Sequence, residues 1–237
     1  MKIEISNVNI EKLMLTETKT EKPFDEIYLF NNSKAGIAHN LLMQLLLNEF
    51  DVYKTPRSEA LSIFKEKIVQ LNEDLELGLN TDIVKNLNAV PPSNEKDPVK
   101  WLIDTLTTDP YCPDPVIIEA INDLRNRLQN SEDIPGYPKL AKEFYFKNIM
   151  KVNDKQQFAD IMSIVYHSAK LYSNDEKFDK LLKLKRKKDK KKKKVPIGDV
   201  IIMDGVGYIL GGLIGAVLTS GMHALLVADQ EPGSEPV

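Results

Sequence analysis

Histidine and cysteine, the residues of a Cys/His catalytic site, are sparse in this chain, whereas carboxylates are plentiful and lie at polar helix positions. It contains three histidines and one cysteine, and His39 is followed directly by Asn40. A Cys/His site would have to be assembled by folding alone, because Cys112 lies between two prolines and far along the chain from His39. We therefore interpret His39 as a capping or core-satisfying residue of a helix, and we predict that the protein is not an enzyme and has no catalytic residues.

The spacing of the ligand-type residues also predicts no metal and no cofactor. No cysteine and histidine have the spacing of a zinc site, and a single cysteine cannot form an intrachain disulfide. The chain has no G-x-x-x-x-G-K-[ST] phosphate loop. Its glycine repeats lie within an apolar run rather than between a strand and a polar helix, so they do not form a dinucleotide fingerprint.

Two rows of small residues near the C-terminal end have a spacing that does suggest a function. The first row is Gly207, Gly211, Gly215 and Thr219, and the second is Gly212, Ala216 and Ser220. Both rows advance four residues at a time, so they lie along one broad face of a helix. Glycine costs about 1 kcal/mol in a helix relative to alanine, and in lipid such small residues let two helices approach closely. We expect this glycine zipper to associate with a copy of itself through these seven residues.

The segment that carries the zipper is predicted to be a single transmembrane helix. Residues Gly205 to Ala228 include no Asp, Glu, Lys or Arg, and at about 1.5 Å per residue they exceed a hydrocarbon core of about 30 Å. Asp204 is expected to cap the helix near the interface. We expect the chain to be too small to build a core around this segment, and a buried central helix is the alternative.

A strongly basic run precedes the apolar segment. Its members are Lys185, Arg186, Lys187, Lys188, Lys190, Lys191, Lys192, Lys193 and Lys194. With Asp189 included, this decade carries +8, whereas the whole chain carries −3. Basic residues beside a membrane segment stay on the cytoplasmic side, which predicts a tail-anchored, single-pass protein with a cytoplasmic N-terminal body. Each basic residue is expected to add about 1 kcal/mol of attraction to an anionic lipid surface.

The residues before the basic run predict an all-α body, arranged as a helical bundle. Apolar residues recur at helical spacing behind Ser33, a cap candidate, and the pairs Asp97-Pro98 and Asp114-Pro115 each combine an N-cap residue with a proline at the first helical position. We expect no secretory signal, because the first residues have no continuous apolar stretch. The predicted organisation is a flexible arm at 1–32, a helical cytosolic domain at 33–182, a polybasic linker at 183–199, the transmembrane helix at 200–229 and an acidic tail at 230–237.

Two of these features together resemble a loosely defined group of uncharacterised bacterial proteins. The group combines a Gly-x-x-His-Asn motif early in a helical body with a C-terminal glycine zipper. Here the motif is Gly36-Ile37-Ala38-His39-Asn40, and the zipper runs from Gly207 to Gly215. Members usually look exported or lipidated, whereas we expect no leader in this sequence, which carries a polylysine run before the zipper. The resemblance implies no activity.

These patterns favour a membrane-tethered helical interaction protein that self-associates through its C-terminal helix. Its expected partners are the lipid bilayer, a second copy of the chain and an unidentified protein that binds the body. The first alternative is a small pore-forming or membrane-perturbing protein, in which zipper oligomerisation is the activity. The second is a soluble protein whose polylysine run binds nucleic acid. An acidic body with one basic block is unlike a nucleic-acid-binding domain, whose positive charge covers a folded face.

Overall fold

The computed structural model describes residues 26–49, 57–74, 76–79, 81, 84, 97–107, 114–173 and 197–228. Helix accounts for 87% of the interpretable residues and no strand occurs among them, so the predicted all-α class is confirmed for this part of the chain. The α-helices are α1 (Glu26–Asn32), α2 (Ala35–Glu49), α3 (Arg57–Asp74), α4 (Pro98–Leu106), α5 (Pro115–Gln129), α6 (Tyr137–Asn148), α7 (Lys155–Tyr172) and α8 (Ile197–Ala228). Short 3-10 turns, Ile134–Gly136 and Ile149–Lys151, flank α6.

The two Asp-Pro pairs begin helices as predicted. The Asp97 carboxylate accepts a hydrogen bond from the Lys100 N–H at 2.9 Å, at the start of α4. The Asp114 carboxylate accepts one from the Val116 N–H at 3.0 Å, at the start of α5. These side chains satisfy backbone donors that have no partner within the first helical turn.

The cap predicted at Ser33 is wrong. The Ser33 hydroxyl donates instead to Oδ1 of Asp160 on α7, at 2.7 Å. The described helices also begin at Glu26, inside the residues predicted as an arm. Phe30 of α1 is buried, and its ring lies 4.8 Å from the ring of Tyr145 on α6. The apolar side of this short helix therefore belongs to the core.

Helix α7 lies at the centre of the described helices. It contacts α1, α2, α6 and α8, and Phe158, Ile161 and Ile164 on it are fully buried. The last turn of α7 ends near Tyr172, whose side chain reaches α8. This helix is thus the element against which both the motif-bearing α2 and the zipper-bearing α8 are packed.

Helix α8 is long and apolar enough from Ile197 to Gly221 to cross a membrane. In its most apolar stretch, 78% of the helix is buried inside the protein. It contacts α2, α3, α4, α5 and α7. The expectation that this chain is too small to enclose the segment is therefore wrong. Five helices, each contributing a limited apolar face, together cover it.

The expectation of one uninterrupted helix is also wrong. Gly211 has φ −167° and ψ 36°, and Gly212 has φ 58° and ψ −148°, so the helical path is broken at these two residues. The segment folds back on itself there. We call residues 197–228 the hairpin, residues 197–210 its first arm and residues 213–228 its second arm.

Candidate functional site

The two arms of the hairpin pack against each other through the zipper glycines. A Cβ atom on Gly207 would lie 2.5 Å from the carbonyl oxygen of Gly215 and 2.8 Å from Cα of Ala216. A Cβ atom on Gly215 would in turn collide with the carbonyl oxygen of Gly207. The first row of small residues therefore brings together two parts of the same chain, with backbone against backbone.

A cross-arm hydrogen bond accompanies this close approach. The Thr219 hydroxyl lies 2.9 Å from the carbonyl oxygen of Met203, sixteen residues earlier. In a continuous helix two residues at this separation are about 24 Å apart. Thr219 and Met203 are both fully buried, and the same hydroxyl also lies 2.9 Å from the Ala216 carbonyl oxygen and 3.1 Å from that of Gly215 in its own arm, so its hydrogen is shared across and within the arms.

Glycines also fit the hairpin against the surrounding helices. A Cβ atom on Gly205 would lie 2.8 Å from Cγ2 of Val165 on α7, and one on Gly198 would lie 2.9 Å from Cβ of Leu128 on α5. In the second arm, a Cβ atom on Gly221 would overlap the ring of Phe64 on α3. The glycines of α8 thus serve contacts with the body as well as contacts between the arms.

A polar cluster lies between the hairpin and the body, in the core. The Asp204 carboxylate accepts hydrogen bonds from the Ser220 hydroxyl of the other arm and from the Tyr172 hydroxyl of α7, the latter at 3.2 Å. His39 Nε2 lies 2.9 Å from Ser220 Oγ and 4.0 Å from Asp204 Oδ2. Asp204 and His39 are completely inaccessible to solvent. The expectation that Asp204 caps a helix at a membrane interface is therefore wrong for this conformation.

The Gly-x-x-His-Asn motif sits on the α7 side of this cluster. A Cβ atom on Gly36 would lie 2.6 Å from the carbonyl carbon of Ser163, so only glycine lets α2 approach α7 this closely. His39 reaches Ser220, and the Asn40 side chain donates to the carbonyl oxygen of His167 at 2.9 Å. The two motifs of the resemblance, far apart in sequence, thus meet through the contact of His39 with Ser220.

Ion pairs hold the beginning of the first arm. Arg125 of α5 donates to Asp199 at 2.9 Å and to Asp97 at 2.7 Å, and Gln129 also donates to Asp199 at 2.9 Å. Partial burial opposes ionisation of Asp97, but its hydrogen bond with Arg125 lowers the pKa of that carboxyl overall. Burial likewise opposes the charge on Arg125, whereas its two carboxylate partners raise its pKa overall.

A second carboxylate, Asp160 of α7, faces the outer side of the first arm. It accepts hydrogen bonds from Ser33 at 2.7 Å, from Tyr208 at 3.1 Å and from Gln156 at 3.1 Å. Burial raises the pKa of Asp160, although these hydrogen bonds act in the opposite direction. Among the contacts described for the first arm, the Tyr208 hydroxyl is the polar group that bonds to α7 at the partly exposed edge of the arm.

The polar cluster does not have the arrangement of a hydrolytic triad. The cluster contains a serine, a histidine and an aspartate, but Ser220 lies between the other two, and all three are buried. A hydrolytic triad instead orders its groups as nucleophile, base and carboxylate, with the nucleophile open to substrate. No group of three or more His, Cys, Asp or Glu residues within the described ranges is placed to hold a metal ion.

Several predicted residues lie outside what the structure describes. The basic run from Lys185 to Lys194 and Cys112 are not described, nor is the side chain of His223. Sequence reasoning assigned Gly207, Gly211, Gly215, Thr219, Gly212, Ala216 and Ser220 to association with another helix, and within this chain they form the turn, the seam between the arms and part of the polar cluster.

Sequence reasoning missed Asp204 and Tyr172 as partners of the motif histidine. The available signal was a single carboxylate at the start of an otherwise charge-free run. Comparisons with protein-family models, with curated proteins and with solved structures give no match to this chain.

Proposed function

We propose that the protein is a membrane-inserting protein that stores its transmembrane segment as a hairpin inside a helical body and transfers it to a bilayer. The observation that carries the proposal is the combination of a charge-free run, Gly205 to Ala228, with its enclosure by the chain's own helices. A water-soluble form needs such an enclosure, because exposing the run to water costs about 25 cal/mol for each Å² of apolar surface.

The hairpin and the membrane-spanning helix are two forms of the same segment. Each arm is only about half as long as the whole segment, at about 1.5 Å per residue, so neither arm alone crosses a hydrocarbon core of about 30 Å. If Gly211 and Gly212 become helical, the uncharged run from Gly205 to Ala228 extends to about 36 Å. The straightened segment is then a single-pass span with some tilt.

The charge distribution favours binding to an anionic membrane in one orientation. The basic run immediately before the hairpin carries a net +8, and clustered lysines are attracted to anionic lipid by about 1 kcal/mol each. The same run favours a final topology in which the body stays on the cytoplasmic side. In the proposed inserted state the zipper faces lose their intrachain partner, so they become available to a second copy, and the released body, a helical bundle, to a protein partner.

A second candidate function follows from the burial of the hairpin. In that candidate the segment is a permanent core element, the protein stays in water, and the polylysine run binds nucleic acid. The close fit of Gly198, Gly205 and Gly221 to the body favours it. Salt-dependent binding of the intact protein to DNA, without recovery on vesicles, is the result this candidate requires.

The decisive experiment locks the hairpin into the body with a disulfide. Val165 Cγ2 lies 2.8 Å from a Cβ on Gly205, so Val165 Cβ is within about 4.3 Å, inside the disulfide range. The variant V165C/G205C is made in a C112S background. Oxidised and reduced samples are floated with vesicles rich in anionic lipid, and bound protein is extracted at alkaline pH.

We expect the reduced variant to float with the vesicles and to resist alkaline extraction, whereas the oxidised variant binds only through its basic run and is released by alkaline extraction. The C112S protein without the engineered pair controls for the reductant. A chain truncated after Lys194 controls for surface binding by the basic run alone, which alkaline treatment removes. Equal behaviour of the oxidised and reduced forms would contradict the proposal.

A further inference from the structure

The buried cluster of Asp204, Ser220 and His39 connects three parts of the fold. Asp204 belongs to the first arm of the hairpin, Ser220 to the second arm and His39 to α2 of the body. The Ser220 hydroxyl lies between the other two groups, within hydrogen-bonding distance of His39 Nε2 at 2.9 Å and of Asp204 Oδ1. A change at this cluster therefore affects both arms and the packing of the arms against the body.

The tautomer of His39 follows from its neighbour. The Asn40 amide nitrogen donates to the carbonyl oxygen of His167 at 2.9 Å, which leaves the Asn40 amide oxygen facing His39 Nδ1 at 3.1 Å. An amide oxygen only accepts hydrogen bonds, so Nδ1 must carry a hydrogen. The second ring nitrogen, Nε2, is the one whose proton can change.

Counting protons along the cluster gives two arrangements in which every group has a partner. In the first, His39 Nε2–H donates to Ser220, and the Ser220 hydroxyl donates to an ionised Asp204. In the second, a protonated Asp204 donates to Ser220, and the Ser220 hydroxyl donates to neutral His39. The two interconvert when Ser220 accepts one proton and releases its own, so the number of atoms and the total charge are unchanged.

We propose that Asp204, Ser220 and His39 form a buried clasp that shares one proton and closes the hairpin onto the body. With that proton present, the cluster has no net charge. Without it, Ser220 has one hydrogen for three acceptors, namely Asp204, His39 Nε2 and the Ala216 carbonyl oxygen at 2.8 Å, and a carboxylate is buried beside a neutral imidazole. With a second proton, the cluster carries a net positive charge in the core. Both altered states are costly in a buried site.

The surrounding groups do not supply a competing charge. Among the described residues, the titratable groups that face Asp204 are His39 from α2 and Tyr172 from α7, with the Ser168 hydroxyl also nearby. Burial, with Asp204 adjacent, raises the pKa of the Tyr172 hydroxyl well above its usual range, so this phenol keeps its proton and donates. Arg125 of α5 is engaged with Asp97 and Asp199.

The test removes each end of the clasp and follows stability against pH without any lipid. Urea unfolding of wild type, D204N, H39Q and the double variant is measured between pH 4 and pH 9, and each equilibrium constant is divided by that of the double variant. This inference concerns the closed protein in water, so it stands or fails separately from membrane insertion.

We expect the two single variants to have opposite pH dependences. D204N loses stability toward acidic pH, because a proton added to His39 then has no carboxylate partner. H39Q loses stability as the pH rises above about 4, because ionising Asp204 then has no imidazole partner. Each change approaches about tenfold in the unfolding constant per pH unit. Wild type is nearly flat between about pH 4 and pH 6.5, where the folded and unfolded chains each hold one proton on this pair, and it loses stability above that range because an unfolded histidine releases its proton while the clasp keeps one. Slopes of the same sign in D204N and H39Q, or unchanged slopes, would overturn the proposal.

A second measurement avoids the risk that these variants do not fold. The chain has three histidines, so a protein with H167Q and H223Q keeps His39 alone for nitrogen-15 NMR. We expect Nδ1 of His39 to carry a hydrogen throughout the pH range and the Nε2 signal to move when S220A is added. An unprotonated Nδ1, or an Nε2 signal that ignores S220A, would contradict the shared proton.

Discussion

Helices α7 and α8 both run through the core, but only α7 keeps a polar side toward water. Gln156 and Lys170 of α7 are exposed, and Asp160 is partly exposed. By contrast, none of residues 197–221 in α8 is exposed, and the run from Gly205 to Ala228 includes no charged residue. A helix with a polar stripe suits the boundary between a core and water, whereas one that is apolar all round suits a core or a bilayer. Both helices are largely buried, so the difference between them is the polar stripe, which only α7 has.

The two helices also make their contacts by different means. α7 fills space with large side chains such as Phe158 and Ile161, both fully buried. The arms of α8 meet where Gly207 and Gly215 bring one backbone against the other. Large side chains adjust to a small change by moving, but a backbone contact leaves no space for a single methyl group. The contacts of α8 are therefore the more sensitive to small substitutions.

The largest expected effect comes from one methyl group in the seam between the arms. G215A normally stabilises a helix by about 1 kcal/mol, but here its Cβ collides with the Gly207 carbonyl oxygen. We expect a loss of about 3 kcal/mol in the free energy of unfolding, measured with urea and circular dichroism. K142A on the exposed side of α6 is the control and should change stability by less than about 0.5 kcal/mol. A stabilised G215A would mean that the arms do not meet in water.

A smaller effect is expected where the body holds the first turn of α8. R125M keeps the bulk of Arg125 but removes its pairs with Asp97 and Asp199, and we expect a loss of about 2 kcal/mol at pH 7. Because Arg125 lowers the pKa of Asp97, that pair stabilises above the ordinary aspartate value and weakens as the pH falls through the lowered one. The difference between R125M and wild type should therefore shrink below about pH 4.

The control for R125M is K139M, which removes an exposed pair with Glu143 within α6. Exposed pairs of this kind contribute about 0.5 kcal/mol or less. Equal losses in R125M and K139M would show that the first arm does not depend on the ion pairs at its beginning.

The smallest change in stability, but an informative one, concerns the turn. Gly212 has φ 58° and ψ −148°, a backbone region that essentially only glycine adopts, with open space around it, so G212A strains the turn by about 1–2 kcal/mol without a steric clash. The alanine of G212A also favours a continuous helix through this position, so we expect a larger fraction of the protein to float with vesicles. G78A is a matched control, since Gly78 has φ 62° and equally open surroundings outside the hairpin. Enhanced binding by both variants would assign the effect to general destabilisation.

The helix starts were predictable because their causes are local. A cap such as Asp97 or Asp114 bonds to a backbone group within three residues, and the following proline adds a signal at the next position. The same locality explains the error at Ser33. A serine before a helix is a common cap, and nothing nearby reveals that Asp160 lies within reach.

The hairpin and its clasp were not predictable from the same kind of signal. Gly212 fits both a helical row of small residues and a turn with positive φ, and the sequence does not distinguish these uses. The row pattern predicts that a second helix packs on the zipper, but not whether that helix is a copy or the other arm. His39 and Ser220 are 181 residues apart, so their contact depends on the complete arrangement of α2, α7 and α8.

The contact between His39 and Ser220 also sets an order of events during synthesis. The second arm is translated after all the helices of the body, so α2 and α7 emerge from the ribosome before the segment that completes their core. Contacts between distant parts of a chain form slowly, because a long loop must close first. Each new molecule therefore passes through an interval in which the body has been synthesised but the apolar segment that completes its core has not yet packed against it.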